Sequence, residues 1–232
     1  MYRSSKRNEG FTIVELVLAM SFLAMLLLAI AMVSMQISSI YMKGLTLREV
    51  NQAGQQISSD IRTQLSQSVA GAVTADDNNE TGNRLCVDNT VYAWNYPDSL
   101  GETTGVLNVR SGVVGSESTN VRFMKFEKTD NIGYCSQLDD GTYPKLPQEA
   151  TELLGSGNAN IAVHSFTIND STVEGDAGQR IYKVSILIGT KDTGAITDDN
   201  TDACAPSVNI DQDACAVNHF VFTARSGNKE ER

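Results

Sequence analysis

Apolar positions follow three successive patterns along the chain. From Leu16 to Met35, LVLAMSFLAMLLLAIAMVSM, they occupy every side of a would-be helix, with no charge, Pro or Gly. At 1.5 Å rise these residues make a rod of about 30 Å, the hydrocarbon thickness of a bilayer. Next, Leu47, Val50, Ile57, Ile61 and Leu65 recur at spacings of three, seven, four and four among Gln, Asn, Ser, Arg and Glu. This is the stripe of a one-faced helix. Residues 11–69 contain no Pro, so one helix is predicted from Phe11 to about Ser68, roughly 90 Å long. Gly44 and Gly54 each cost roughly 1 kcal/mol relative to Ala and read as sites of slight bending. The run AGAVTADDNNETGN (70–83) breaks the pattern and reads as a loop.

Beyond it the period shortens to two. Strands are predicted at 84–95 and 120–128, with a weaker one near 105–114 between them, and again at 160–170, 179–189 and 216–225. STVEGDAG (171–178) reads as a hairpin loop. In 179–189, Tyr182, Val184, Ile186 and Ile188 alternate with Lys183 and Ser185; in the last strand Phe220 and Phe222 share a face. A long helix followed by five to seven antiparallel strands is an α+β fold with the sheet wrapped on the helix. The closing SGNKEER (226–232) reads as a charged, frayed tail.

Charge sharpens this division. The chain carries 18 Lys+Arg and 28 Asp+Glu, net −10. Taking away Arg3, Lys6 and Arg7, and Glu9 and Glu15, leaves 15 and 26 for residues 36–232, a net of −11. A short basic head before an apolar run stays cytoplasmic and sends the acidic body across the membrane. No Lys/Arg cluster exists for phosphate contact, so no direct nucleic-acid binding is expected. With two histidines, His164 and His219, multi-His metal catalysis and most His-based triads have little material. Neither G-x-S-x-G nor a phosphate-cradling loop occurs, so the chain is not expected to be an enzyme.

The four cysteines, Cys86, Cys135, Cys204 and Cys215, all fall in the exported part and lack zinc spacing. Two disulfides are the simplest account, Cys204–Cys215 and hence Cys86–Cys135; buried free thiols are the alternative. Tyr92, Trp94 and Tyr96 are bunched as YAWNY. Packing across a strand pair is the plainer reading of that cluster, an exposed adhesive patch the other.

One residue is out of place. Glu15 stands directly before the apolar run, and a carboxylate at a membrane helix centre costs about 2.5–3.5 kcal/mol. At the segment's edge it costs less, but it still calls for a partner. Cleavage between Gly10 and Phe11 would supply one: a new α-amino group four residues before Glu15, on the same helix face. The carboxylate also suits the positive end of the helix dipole. In a bundle, Glu15 of one chain could neutralise the amine of the next and fix the register of a greasy contact.

The stretch Gly10-Phe11-Thr12-Ile13-Val14-Glu15-Leu16, after a short basic leader and before some twenty apolar residues, resembles the processing signal of type IV prepilins and type II secretion pseudopilins. The resemblance covers about thirty residues. It implies cleavage after Gly10 by a prepilin peptidase, N-methylation of Phe11 by the same enzyme, and a requirement for Glu15 in assembly. It implies a pilin-like head, and partners that are other pilin subunits contacted through the N-terminal helix, the peptidase, a membrane assembly platform, and lipid before assembly. The layout expected is then leader 1–10, membrane or filament-core helix 11–35, amphipathic helix 36–69, β-rich head 70–225 and tail 226–232. The protein would be a single-pass cytoplasmic-membrane precursor that passes into an extracytoplasmic filament. Arg48–Leu65 and the final FVFTAR are similar to the larger minor pilins of the J or W type. Unlike many major pilins, the apolar half holds no Pro.

Two plainer readings of the N-terminus remain: a secretory signal cut after Ala29-Ile30-Ala31, and an uncleaved anchor. No cofactor is required by any of these readings. Asp198, Asp199, Asp202, Asp211 and Asp213, near Cys204 and Cys215, are a weak calcium candidate. Some pseudopilins hold calcium near their C-terminus, but a solvated acidic loop is the favoured reading of these residues. Asp77-x-Asn79-x-Thr81-Gly82 with Asp88 is a partial EF-hand match that lacks the terminal Glu.

Overall fold

The computed structural model describes residues 12–69, 72–76, 83–100, 108–112, 120–128, 133–138, 142–154, 160–172, 179–191, 204 and 215–226. Among them the fold is α+β. One helix, α1 (Ile13–Gln67), precedes β1 (Val73–Asp76), β2 (Arg84–Val87), β3 (Thr90–Trp94), β4 (Phe123–Glu127), β5 (Thr151–Glu152), β6 (Ile161–Thr172), β7 (Arg180–Thr190) and β8 (Val217–Arg225). The chain divides into two compact units, residues 1–42 and 43–232. In the first, α1 exposes its apolar side chains throughout, from Ile13 to Met42.

In the second unit the strands form two antiparallel sheets rather than one: β1-β2-β3-β4-β5 and β6-β7-β8. The C-terminal part of α1 contributes a buried stripe of Thr46, Val50, Gly54, Ile57, Ile61 and Leu65. That stripe joins one core with Leu85, Tyr92, Trp94 and Phe123 of the five-stranded sheet and Phe166, Tyr182, Val184, Ile186 and Phe222 of the three-stranded sheet. Two sheets share one helix because a single helical stripe reaches the inner faces of both.

The stripe differs from the expected one at two places. Leu47 is exposed, and Thr46 takes its place. Gly54, read as a bend, lies inside the stripe, where the Phe220 ring of β8 fills the space a Cβ would need. The absent side chain therefore permits close approach of helix and strand, which sequence spacing cannot distinguish from flexibility.

The predicted strand 84–95 is a hairpin, β2 and β3 paired Arg84↔Ala93 through Val87↔Thr90. It turns at Asp88, whose φ of 48° suits the left-handed region that Asp tolerates. The predicted loop 70–83 contains β1, paired with β2 from Val73↔Val87 to Asp76↔Arg84. A polar sequence pairs here because β1 is an edge strand with a solvated side. Of the predicted strand 105–114, the described residues 108–112 contribute the single bridge Arg110↔Leu146. Gly112, at φ 78°, then turns the chain.

β2 and β3 are buried at every position. Behind them lies a second cluster of Val91, Ala93, Val121, Met124, Phe126, Tyr134 and Leu146. Burial on both faces explains why TVYAW reads as a continuous run. The YAWNY aromatics are packed: Trp94 is fully buried, with Phe166 at 4.4 Å and Phe123 at 5.7 Å between ring centroids. The adhesive-patch reading of Trp94 is thereby overturned, since hiding one aromatic ring is worth roughly 1.5–3 kcal/mol. β7 alternates as expected, with Tyr182, Val184, Ile186 and Ile188 buried.

Candidate functional site

The helix N-terminus is organised by two side chains. The backbone N–H of Thr12 and its hydroxyl both donate to Glu15 Oε2, at 3.0 and 2.9 Å. The Glu15 N–H in turn donates to Thr12 Oγ1 at 3.3 Å. Thr12 O accepts the first helical bond, from Leu16 N–H at 3.2 Å. This is a reciprocal capping box, in which donors that a helix start would leave orphaned find partners. Glu15 therefore has partners within its own chain, without requiring a new amine. Sequence reasoning missed Thr12, although Thr-x-x-Glu before an apolar run is its signature.

From Leu16 to Met42 no charged side chain occurs, and α1 is long and apolar enough to cross a membrane by length and composition. Two hydroxyls on this stretch are satisfied locally. Ser21 Oγ donates to Leu18 O at 2.9 Å, and Ser39 Oγ to Gln36 O at 3.0 Å. Hydroxyls folded back on their own helix need no water, which suits an apolar surrounding. The helix is consistent with single-pass anchoring.

Gly10 and Phe11, the expected cleavage and methylation positions, lie outside the described residues, as does the leader. So do Asp198, Asp199, Asp202, Asp211 and Asp213, Asp77 of the partial EF-hand match, and most of the tail. Among the described residues no group of three or more His, Cys, Asp or Glu is placed to hold a metal ion.

The cysteines form two disulfides. Cys86 is bonded to Cys135 with Cα atoms 6.2 Å apart, and Cys204 to Cys215 at 6.0 Å. Their sequence separations are 49 and 11, so in the chain-entropy picture they restrain the unfolded state by about 4 and about 3 kcal/mol. Beside Cys86 lies a buried guanidinium that sequence reading did not single out. Arg84 donates to Asn108 Oδ1, Tyr134 O and Pro144 O at 2.8, 2.6 and 2.7 Å and lies over the Tyr143 ring. Burial pushes its pKa down to about 10, against the pull of the neighbouring Tyr143 and Tyr134. Asn108 also exchanges bonds with Asn95, and its amide donates to Trp94 O at 2.7 Å. The network fastens the segments that leave the sheet.

Both histidines hold sheet contacts. His164, at the β6 bulge, meets Thr190 O at 2.7 Å. His219 Nε2 is hydrogen-bonded to the Ser185 hydroxyl across β7 and β8. Burial lowers the His164 pKa, opposed by its bond to Thr190 and by Asp98. Comparison with family models, with curated proteins and with solved structures finds no match for this chain.

Proposed function

We propose that the chain is a structural subunit of a type IV pilus or type II secretion-like filament, a minor pilin or pseudopilin. It is cut after Gly10 and N-methylated on Phe11 by a prepilin peptidase. One observation carries the reading: the ordered motif Gly10-Phe11-Thr12-Ile13-Val14-Glu15 directly precedes a helical stretch without charge from Leu16 to Met42, and the apolar side chains from Ile13 to Met42 are exposed. Such a surface needs cover, first from lipid and then from equivalent helices of other subunits. The α+β head, fastened by two disulfides, suits residence outside the cytoplasm. The chain itself catalyses nothing in this reading. Its partners are sibling subunits, the peptidase and a membrane assembly platform, and nucleic acid is not among them.

Glu15→Ala tests the assembly role in cells that produce the filament. The variant is expected to reach the membrane at parental levels and to be absent from sheared filaments. Parental filament content would contradict the role of the carboxylate. The alternative reading is a membrane-anchored exported binding protein or enzyme that does not polymerise. It is favoured if a chain lacking residues 1–40 retains full function.

A further inference from the structure

The two donors of Thr12 converge on a single carboxylate oxygen. Glu15 Oε2 receives both the backbone N–H and the hydroxyl, while no donor to Oε1 is found among the described residues. We propose that Thr12 is a positioning residue: it commits one Glu15 oxygen to the cap of its own helix and leaves the other to receive a cation from a second chain. Capping and pairing then operate together rather than in competition. A free glutamate side chain samples several rotamers and loses that freedom on pairing. Held at both ends of a short hydrogen-bonded ring, Glu15 has already lost it. A neighbour's ammonium therefore meets a preorganised carboxylate, and the cost of ordering falls on folding instead of on association. This rests on the filament reading, which supplies the second chain.

The hydroxyl has two separable jobs, and substitution splits them. As an acceptor from the Glu15 N–H it caps the helix. As a donor to Oε2 it holds the carboxylate. Ser keeps both jobs. Asp is as good an N-cap as Ser, but when ionised it can only accept, so it cannot donate to a carboxylate. Val, nearly isosteric with Thr, has neither function.

The experiment compares full-length Thr12→Ser, Thr12→Asp and Thr12→Val chains, each also in a Glu15→Ala background. Membrane content, N-terminal mass and abundance in sheared filaments are measured for each. Thr12→Ser is expected to match the parent. Thr12→Asp and Thr12→Val are expected to be membrane-inserted and cut, yet incorporated roughly tenfold less, the effect of losing one charge-assisted hydrogen bond. In chains carrying Glu15→Ala, where incorporation is already lost, the Thr12 changes are expected to add nothing. Parental incorporation of Thr12→Val overturns the proposal. So does rescue by Thr12→Asp, which would reduce Thr12 to a helix cap. A parent chain that is uncut at Gly10 overturns the filament reading itself, a result separate from either of these.

Discussion

His164 is the described histidine whose protonation the fold resists. Its folded pKa lies below the ordinary 6.5, chiefly because burial disfavours the imidazolium. Below pH 6.5 the unfolded chain takes up a proton that the folded chain declines. Stability therefore falls as pH drops from about 6.5 toward the folded pKa, then levels off once both states are protonated. Urea unfolding of the full chain in detergent at a series of pH values is expected to show that decline, and His164→Gln is expected to flatten it. An unchanged slope in the variant would assign the effect to carboxylates instead. Tyr92 is the opposite kind of group. Burial, reinforced by its bond to Asp60 at 2.6 Å, raises its pKa and keeps the phenol protonated. Asp60 also accepts Lys125 Nζ at 2.7 Å, so one carboxylate on α1 ties β3 and β4 to the helix.

Between helix and sheet, Gly54 is the test case. By propensity alone Ala at this position would stabilise α1 by about 1 kcal/mol. The Phe220 ring occupies the space of the new methyl, and overpacking of that kind costs about 1–3 kcal/mol. Gly54→Ala is therefore expected to lower the urea midpoint of the full chain, and adding Phe220→Leu to recover much of the loss. A stabilised single variant would show that the ring swings aside freely.

The same position shows what the sequence made legible. A Pro-free run, apolar on all sides and then striped at period 3.6, locates α1 to within two residues at each end, and period 2 locates β6, β7 and β8, because one face of each is solvated. Strands β2 and β3 merged into one reading because both their faces are buried and no alternation marks the turn at Asp88. The strand β1 escaped because its polar residues pair at an edge. Arg84 and Asn108 lie 24 residues apart, and only the folded sheet brings them within 2.8 Å. At the N-terminus the position of Glu15 is legible, and the structure adds a partner within the chain, the Thr12 hydroxyl three residues upstream; Phe11, which would carry the new amine, lies outside the described residues.

Taken whole, the chain separates two kinds of surface. Residues 16–42 carry no charge at all, while residues 36–232 hold a net of −11, from 15 Lys+Arg and 26 Asp+Glu. The head has its own core of helix stripe and two sheets, and two disulfides that restrain its unfolded state. Among the described residues, the apolar side chains of α1 from Ile13 to Met42 are exposed. A subunit that moves from lipid into a polymer accounts for both, provided the basic leader is removed so that the helix begins with a free amine. Intact-mass measurement of the protein from its native cells examines that step directly. The account predicts a chain of 222 residues, the 232 less the ten of the leader, beginning at Phe11 and carrying one methyl group on its amine. A mass corresponding to a start at Met1, or at Met32 after cleavage behind Ala31, would contradict it.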